Sequence, residues 1–201
     1  MKRRMLLGIA AFGGLTACSR PQFFNIGWDE EVKLHDGRVI VVNLKFTYER
    51  LDRFSEYGKA ILRDTVLTFD AGQPLGRVLQ VFKRMRPALL NQLDGTWYAV
   101  IEEIGAGGSP TISGQDWGPM QTGQGQRTIK LAPNGFTVIP IQEFPDQLVE
   151  CNLLRDYAPI EELARFDRRL VDLNAKASYS NLYRTHPDDV RLVKPQLKQT
   201  N

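Results

Sequence analysis

The chain has 201 residues, with 26 Lys and Arg against 23 Asp and Glu, so its formal net charge is +3. A chain of this length buries most of its apolar surface as one domain and needs no disulfide bonds for stability. Lys2, Arg3 and Arg4 account for the whole excess, because the remaining residues carry equal numbers of basic and acidic side chains. The sequence pI of about 8.9 therefore does not indicate a nucleic-acid-binding protein.

The amino-terminal residues have the pattern of a secretory signal peptide, in which three basic residues precede an uncharged apolar stretch. Residues 5–18 comprise only 14 uncharged residues, whereas a membrane-spanning helix needs about 20. An ordinary signal peptidase prefers a small residue three positions before its cut, and Leu15 occupies that position for a cut after Ala17. The pattern therefore predicts a signal peptide that an ordinary peptidase would cleave poorly.

The four residues Leu15-Thr16-Ala17-Cys18 at the end of this stretch resemble the lipobox of bacterial lipoprotein signal peptides. The resemblance implies that the Cys18 sulfur receives a diacylglycerol, that a dedicated peptidase cuts between Ala17 and Cys18, and that the new amine is acylated, for instance with palmitate. Several chains are needed because one acyl chain holds a protein only marginally. Ser19, in place of an aspartate, implies export to the outer membrane. The alternative is an incidental cysteine after an ordinary signal peptide.

We expect four parts in the precursor. Residues 1–17 form the signal peptide, and residues 18–27 comprise the lipidated cysteine and a short tether. Residues 28–194 form a single mainly-β globular domain, and residues 195–201 form a flexible tail. The two phenylalanines of the tether either touch the bilayer surface or begin a strand.

The first of three predicted hairpins turns at Asp36-Gly37, a dipeptide typical of two-residue turns between strands. This turn would place Val32 opposite Val41, so that apolar residues meet on one face. The following strand is predicted from alternating apolar and polar residues. The apolar positions are Val42, Leu44, Phe46 and Tyr48, and the polar positions are Asn43, Lys45 and Thr47.

The second hairpin is predicted to turn at Asp94-Gly95 and the third at Asn134-Gly135. The predicted opposite pairs are Leu90 with Ala99, Leu89 with Val100, and Leu131 with Val138. Residues 63–69 and 77–82 read as further strands, which brings the total to about seven.

Residues 160–173 place apolar side chains on one side of a helix and charges of both signs on the other. This pattern favours docking on the sheet, since a membrane-surface helix would carry mainly Lys and Arg. The predicted fold class is therefore α+β and mainly antiparallel β. It consists of a twisted sheet or partial barrel of about seven strands with a C-terminal amphipathic helix packed on it.

The residues suited to catalysis or metal binding form no known motif. His35 is interpreted as a solvated residue at a strand end, and His186-Pro187-Asp188-Asp189 as a helix start rather than a metal site. Cys151 has no partner if Cys18 is lipidated, and its apolar neighbours predict a buried, inert thiol. A nucleophile or an intermolecular disulfide is the alternative for Cys151. No catalytic residue, metal site or cofactor is predicted.

The glycine-rich stretch GAGGSPTISGQDWGPMQTGQGQ lacks the motifs and context of a phosphate-binding loop. Long loops of this kind are usually functional or disordered. An aromatic ring with amide and acid groups suits a sugar or a protein partner, so a binding loop and a passive loop are both open. The candidate contact residues are Gln115, Asp116, Trp117, Gln121 and Gln124.

The segments GWDEEVKLHDGRVIVV and GFTVIPIQEFP are similar to parts of uncharacterised proteobacterial envelope lipoproteins, a resemblance that implies no activity. The leading hypothesis is a lipid-anchored, periplasm-facing lipoprotein with a non-enzymatic binding or assembly role and an envelope protein or glycan as partner. The alternative is an envelope hydrolase acting on glycan or peptide through carboxylates near Asp116. Glu102 and Glu103 cannot be its two facing acids, because neighbours on a strand point to opposite faces.

Overall fold

Strands dominate the computed structural model, which describes residues 21–51, 60–103, 111–112, 115–116, 125–148, 150–154 and 160–183. In this part of the chain the strands are β1 (Phe23–Lys33), β2 (Val39–Arg50), β3 (Ala60–Asp70), β4 (Arg77–Lys83), β5 (Met85–Leu93), β6 (Thr96–Glu103), β7 (Thr111–Ile112), β8 (Gln115–Asp116), β9 (Gln126–Ala132), β10 (Gly135–Val138) and β11 (Leu170–Val171). The helices are α1 (Ile160–Leu163) and α2 (Leu173–Tyr183), with 3₁₀ turns at Ile141–Glu143 and Ala164–Phe166.

The described strands form two sheets rather than the single sheet or partial barrel expected. The large sheet has the order β11-β1-β2-β3-β4-β7-β8, and the small sheet has the order β10-β9-β6-β5. Every pairing is antiparallel except that of β1 with β11. The chain passes from one sheet to the other at Arg84, the single residue between β4 and β5, which has a φ of 57°. The mainly antiparallel β class is confirmed, and the architecture is corrected to two sheets.

One hydrophobic core lies between the inner faces of the two sheets. Phe69 of β3 and Trp97 of β6 meet edge to face with ring centroids 4.9 Å apart, and the Trp97 indole N–H donates to the Ala71 carbonyl at 3.0 Å. The small sheet buries its second face as well, under the segment that contains Ile141, Phe144 and Leu148. The outer face of the large sheet keeps alternate residues exposed along β1, β2 and β4.

The second hairpin has the predicted register, with Leu90 opposite Ala99 and Leu89 opposite Val100. Asp94 has a φ of 48° and Gly95 a φ of 76°. Two successive positive φ angles are those of a type I′ turn, whose twist matches that of the strands.

The predicted registers of the first and third hairpins are wrong. In the first, Val32 lies opposite Ile40 instead of Val41, because the loop has three residues and Gly37 adopts a φ of 88° at its end. In the third, Leu131 lies opposite Phe136 instead of Val138, because Gly135 belongs to the strand. The two-residue shift in the third hairpin leaves each side chain on its predicted face, whereas the one-residue shift in the first hairpin moves side chains to the opposite face. Val39 and Val41 of the first hairpin are therefore exposed.

The predicted helix over residues 160–173 is also wrong. The chain makes one turn of α-helix and one 3₁₀ turn, and then forms β11 alongside β1. The helix is broken at Asp167, whose carboxylate accepts the Gly27 N–H at 2.9 Å, and at Arg168, which has a φ of 58°. A new helix, α2, then starts after Asp172, which accepts the Ala175 N–H as an N-cap. Periodicity alone could not show that β1 offers an edge to this segment.

The amino-terminal boundary of the domain also differs from the expected one. β1 begins at Phe23, so residues 23–27 of the span expected as a tether belong to the sheet. Both phenylalanines lie in β1, as the strand reading predicted. The expected tail, residues 195–201, lies outside the described residues.

Candidate functional site

The predicted contact residues are described only in part. Gln115 and Asp116 form β8, the outermost strand of the large sheet. The others, Trp117, Gln121 and Gln124, lie outside the described residues, as do the predicted cleavage and lipidation residues Ala17 and Cys18 and the segment His186-Pro187-Asp188-Asp189.

Glu102 has a structural position inside the small sheet. Its side chain is 4 % exposed, its carboxylate lies 3.5 Å from Arg86 Nε, and it accepts a hydrogen bond from Gln126 Nε2 at 2.9 Å. These partners come from the neighbouring strands β5 and β9. Glu103 ends the same strand and is half-buried. The Glu102 carboxylate therefore links β6 to its two neighbours, β5 and β9.

The open face of the large sheet carries a polar cleft of about 520 Å³, here called the outer cleft. It lies where β1 and β2 meet the turn that precedes β11. Its lining residues are Asn25, Gly27, Trp28, Asp29, Asn43, Leu44, Lys45, Asp167 and Arg168.

Strand alternation places the polar side chains of the outer cleft on one face. Asn25 and Asp29 occupy alternate exposed positions of β1, and Asn43 and Lys45 occupy those of β2. Gly27 lies between them, and a Cβ there would come within 3.0 Å of the Leu44 carbonyl oxygen. The close approach of β2 therefore leaves little room for a side chain in the middle of the cleft floor.

The turn at residues 167–168 forms one wall of the outer cleft. The Asp167 carboxylate accepts the Gly27 N–H at 2.9 Å, and the Arg168 N–H donates to the Gly27 carbonyl at 2.6 Å. Both the N–H and the carbonyl of Gly27 are thus hydrogen-bonded to residues of this wall. Arg168 holds a left-handed conformation, which is uncommon for a residue with a side chain.

The outer cleft offers cations more readily than anions. The Asp29 carboxylate accepts the Asn43 amide at 2.9 Å, and the Asp167 carboxylate is used by Gly27. The Arg168 side chain is 92 % exposed and lies 3.6 Å from Asp167. Lys45 is exposed and has no side-chain partner within the described chain. The arrangement suits a polar partner that carries acidic groups.

A buried carboxylate, Glu30, holds the segments behind the outer cleft. Its side chain is fully buried and forms an ion pair with Lys176 of α2 at 2.8 Å. It also accepts the Trp28 indole N–H at 3.0 Å and the Leu154 N–H at 2.6 Å. A buried charge is stable only when it has an ion-pair partner and hydrogen bonds of this kind. Glu30 thereby joins β1 to two segments that lie more than 120 residues further along the chain.

The Asn152 side chain completes this junction between the sheets. Its amide N–H groups donate to the Leu90 carbonyl at 2.8 Å and the Lys33 carbonyl at 3.0 Å, while its oxygen accepts the Leu90 N–H at 2.9 Å. The Lys176 ammonium donates to the backbone carbonyls of Asn152 and Glu31. We call the set Glu30, Asn152, Leu154 and Lys176 the seam.

A second cleft, of about 400 Å³, lies beside the first hairpin, and is here called the hairpin cleft. His35 and Cys151 both line it, together with Glu150 and Asn91. Cys151 is half-buried, so the expectation of a buried cysteine is wrong. The segment carrying it runs along the β5 edge, where Leu153 N–H donates to the Ala88 carbonyl.

Asp36, at the tip of the first hairpin, has a pKa below its ordinary value of 3.8. The main cause is the hydrogen bond from the Arg38 backbone N–H at 3.0 Å, followed by that from the Arg38 guanidinium at 2.7 Å. Both donors stabilise the ionised carboxylate.

Sequence reasoning identified the polar positions Asn43 and Lys45 as the exposed side of a strand, but it did not identify either cleft. The signal that was available is the alternation of polar residues along β1 and β2. What was missing is the approach of residues 167–168, which the predicted helix placed elsewhere. The seam was missed because nothing in the sequence marks Glu30 as buried among the acidic residues around it.

The described residues contain no group of three or more His, Cys, Asp or Glu side chains arranged to hold a metal ion. No helix among them is long and apolar enough to cross a membrane. No protein-family model matches the chain, and comparison with curated proteins and with solved structures gave no significant match.

Proposed function

We propose that this protein is a lipid-anchored envelope lipoprotein that faces the periplasm, in the outer membrane, and has a non-enzymatic binding or assembly role. The observation that carries the proposal is the tetrad Leu15-Thr16-Ala17-Cys18 at the end of a short basic-then-apolar leader. Diacylglycerol and an amide-linked acyl chain on Cys18 give the several chains that stable anchoring needs.

The open face of the large sheet supports the binding role. A polar cleft with two exposed cations lies at its β1–β2 side, and the candidate loop residues Gln115 and Asp116 form its opposite edge. The small sheet, by contrast, buries both faces. An envelope protein or glycan that carries acidic groups is the partner class that the outer cleft fits.

Membrane fractionation tests the anchor. Cys18→Ser removes the sulfur that would carry the diacylglycerol, so the protein should move from the membrane fraction to the soluble fraction. Cys151→Ser is the matched control and should leave the protein in the membrane fraction. Retention in the membrane of a Cys18→Ser protein from which the leader has been removed would contradict the anchor.

Crosslinking in cells tests the binding face. A photo-crosslinking residue at Lys45 should capture a partner, and Arg168→Glu should weaken that capture because it reverses a charge in the same cleft. The matched control is a crosslinker at Lys83, an exposed lysine of β4 on the same face. Equal capture at both positions would argue against the outer cleft.

The loop is tested in the same capture assay by alanine substitutions at Trp117, Asp116 and the nearby glutamines. The Asp116→Asn variant tests the alternative that the protein is an envelope hydrolase.

A further inference from the structure

The chain that leads from β1 towards Cys18 is fastened to the end of β2. The Arg50 guanidinium Nη1 donates to the Pro21 carbonyl at 2.7 Å, and the Arg50 backbone N–H donates to the Gln22 carbonyl at 2.8 Å. The Gln22 side-chain amide donates to Glu49 Oε1 at 2.7 Å. The Arg50 guanidinium also lies 3.9 Å from the centroid of the Phe24 ring. Pro21 and Gln22, which precede the first residue of β1, are therefore part of the folded domain.

Very little chain remains between this point and the proposed anchor. Only Ser19 and Arg20 separate Pro21 from Cys18. An extended chain advances by at most about 3.6 Å per residue, so the Cα atoms of Cys18 and Pro21 are at most about 11 Å apart. The headgroup layer on each side of a bilayer is roughly 5–8 Å thick. A Cys18 residue with its acyl chains in the bilayer thus leaves no length for a stalk.

The end of the domain nearest to Cys18 exposes two large apolar side chains. Phe23, the first residue of β1, is 52 % exposed, and Leu51, directly after β2, is 59 % exposed. Phe23 lies opposite Glu49 in the β1–β2 ladder. Val39, at the other end of β2 and on the same outer face, is 48 % exposed. Ten residues of strand place Val39 about 33 Å from Glu49.

We propose that the end of the domain that carries Phe23 and Leu51 rests on the bilayer and inserts these two side chains among the lipid headgroups. The inference rests on the proposed lipid anchor at Cys18. The lipid surface is the partner of these two side chains because the short chain between Cys18 and Pro21 holds this end of the domain against the bilayer. Apolar and aromatic side chains at such a depth lose contact with water, which favours the orientation.

This orientation places the outer cleft near the membrane. Asn25, its first lining residue on β1, is two residues from Phe23, and two strand residues span about 7 Å. The hairpin cleft lies at the other end of β1, where Lys33 and His35 line it. A partner of the outer cleft would therefore approach alongside the bilayer, and a ligand of the hairpin cleft would approach from the periplasmic side.

Quenching by brominated lipid tests the orientation directly. The full-length lipidated protein, purified from membranes, is reconstituted in phosphatidylcholine vesicles with or without bromine on the upper part of the acyl chains. Phe23→Trp and Leu51→Trp are the two probes, and Val39→Trp is the matched control of similar exposure on the same face. Quenching of the unsubstituted protein, which has three Trp residues, is subtracted. We expect the fluorescence added at positions 23 and 51 to be quenched and that added at position 39 to be unaffected.

Two outcomes contradict the inference in different ways. If the protein floats with the vesicles but the Trp residues at positions 23 and 51 are quenched no more than the control, the orientation is wrong while the anchor stands. If the protein does not float with the vesicles, the anchor and the orientation both fail. The unfolding midpoint in urea shows whether each variant is folded. It should match that of the unsubstituted protein, because the three substituted positions are exposed.

Discussion

The seam and the outer cleft contain the same three kinds of side chain but differ in burial. The seam combines a carboxylate, an asparagine and a lysine in Glu30, Asn152 and Lys176, and it buries the carboxylate completely. The outer cleft combines Asp29, Asn43 and Lys45 on the open face of the large sheet. Because water screens the second set and not the first, equal substitutions should have very different effects on stability. The seam joins segments that are distant in the sequence, whereas the cleft side chains are exposed.

Removing the carboxylate from each set should give the largest contrast. Glu30→Ala removes the ion-pair partner of the Lys176 ammonium and the acceptor of the Trp28 indole N–H and the Leu154 N–H, and we expect it to lower the free energy of unfolding by about 3–5 kcal/mol. Asp29→Ala removes an exposed carboxylate and should cost less than about 1 kcal/mol. Urea unfolding of Cys18→Ser protein recovered from the soluble fraction measures both. Similar losses for the two variants would contradict the distinction between seam and cleft.

Removing the asparagine should give a smaller contrast of the same sign. Asn152→Ala deletes the three hydrogen bonds through which Asn152 joins Leu90 to Lys33. It should lower the free energy of unfolding by about 2 kcal/mol, because the part-buried N–H and carbonyl of Leu90 both lose their partner. Asn43→Ala deletes an exposed hydrogen bond to Asp29 and should cost about 0.5 kcal/mol or less. The same urea measurement applies, and an Asn43→Ala variant less stable than Asn152→Ala would reverse the interpretation.

The smallest effect is expected at Asp36, whose carboxylate is fully exposed. Its folded-state pKa lies below 3.8 because Arg38 donates two hydrogen bonds to it. A lowered pKa contributes stability above the unfolded value, and this contribution disappears as the pH falls through the folded value. Arg38→Ala should raise the Asp36 pKa towards 3.8, as followed by NMR titration of the carboxyl carbon between pH 2 and 6. An unchanged pKa would show that the Arg38 side chain plays no part.

The hairpins show which parts of the fold could be predicted from the sequence. Asp94-Gly95 specifies a type I′ turn by itself, so the register of β5 and β6 follows from two residues. Asp36-Gly37 looks the same in the sequence, but its glycine takes the last position of a three-residue loop, and the register moves by one. The choice between two- and three-residue loops depends on which side chains the rest of the core accepts. Val32 and Val42 enter that core, and Val41 does not.

The site was harder to predict than the strands because it depends on contacts between distant segments. The outer cleft requires Asp167 to reach Gly27, a separation of 140 residues. The seam requires Lys176 to reach Glu30. The amphipathic pattern over residues 160–173 includes the buried residues Leu163 and Val171, but it also includes Leu170, which is exposed. A strand edge such as that of β1 competes with helix formation for this segment. Local patterns carry no information on that competition.

The central claim, that Cys18 is the lipidated first residue of the mature protein, is tested most directly by the intact mass of the protein purified from membranes. We predict a chain that begins at Cys18 and carries the added mass of a diacylglycerol and one further acyl group. The Cys18→Ser protein should lack that added mass. A mature chain that begins at another residue, or an unmodified Cys18, would contradict the account.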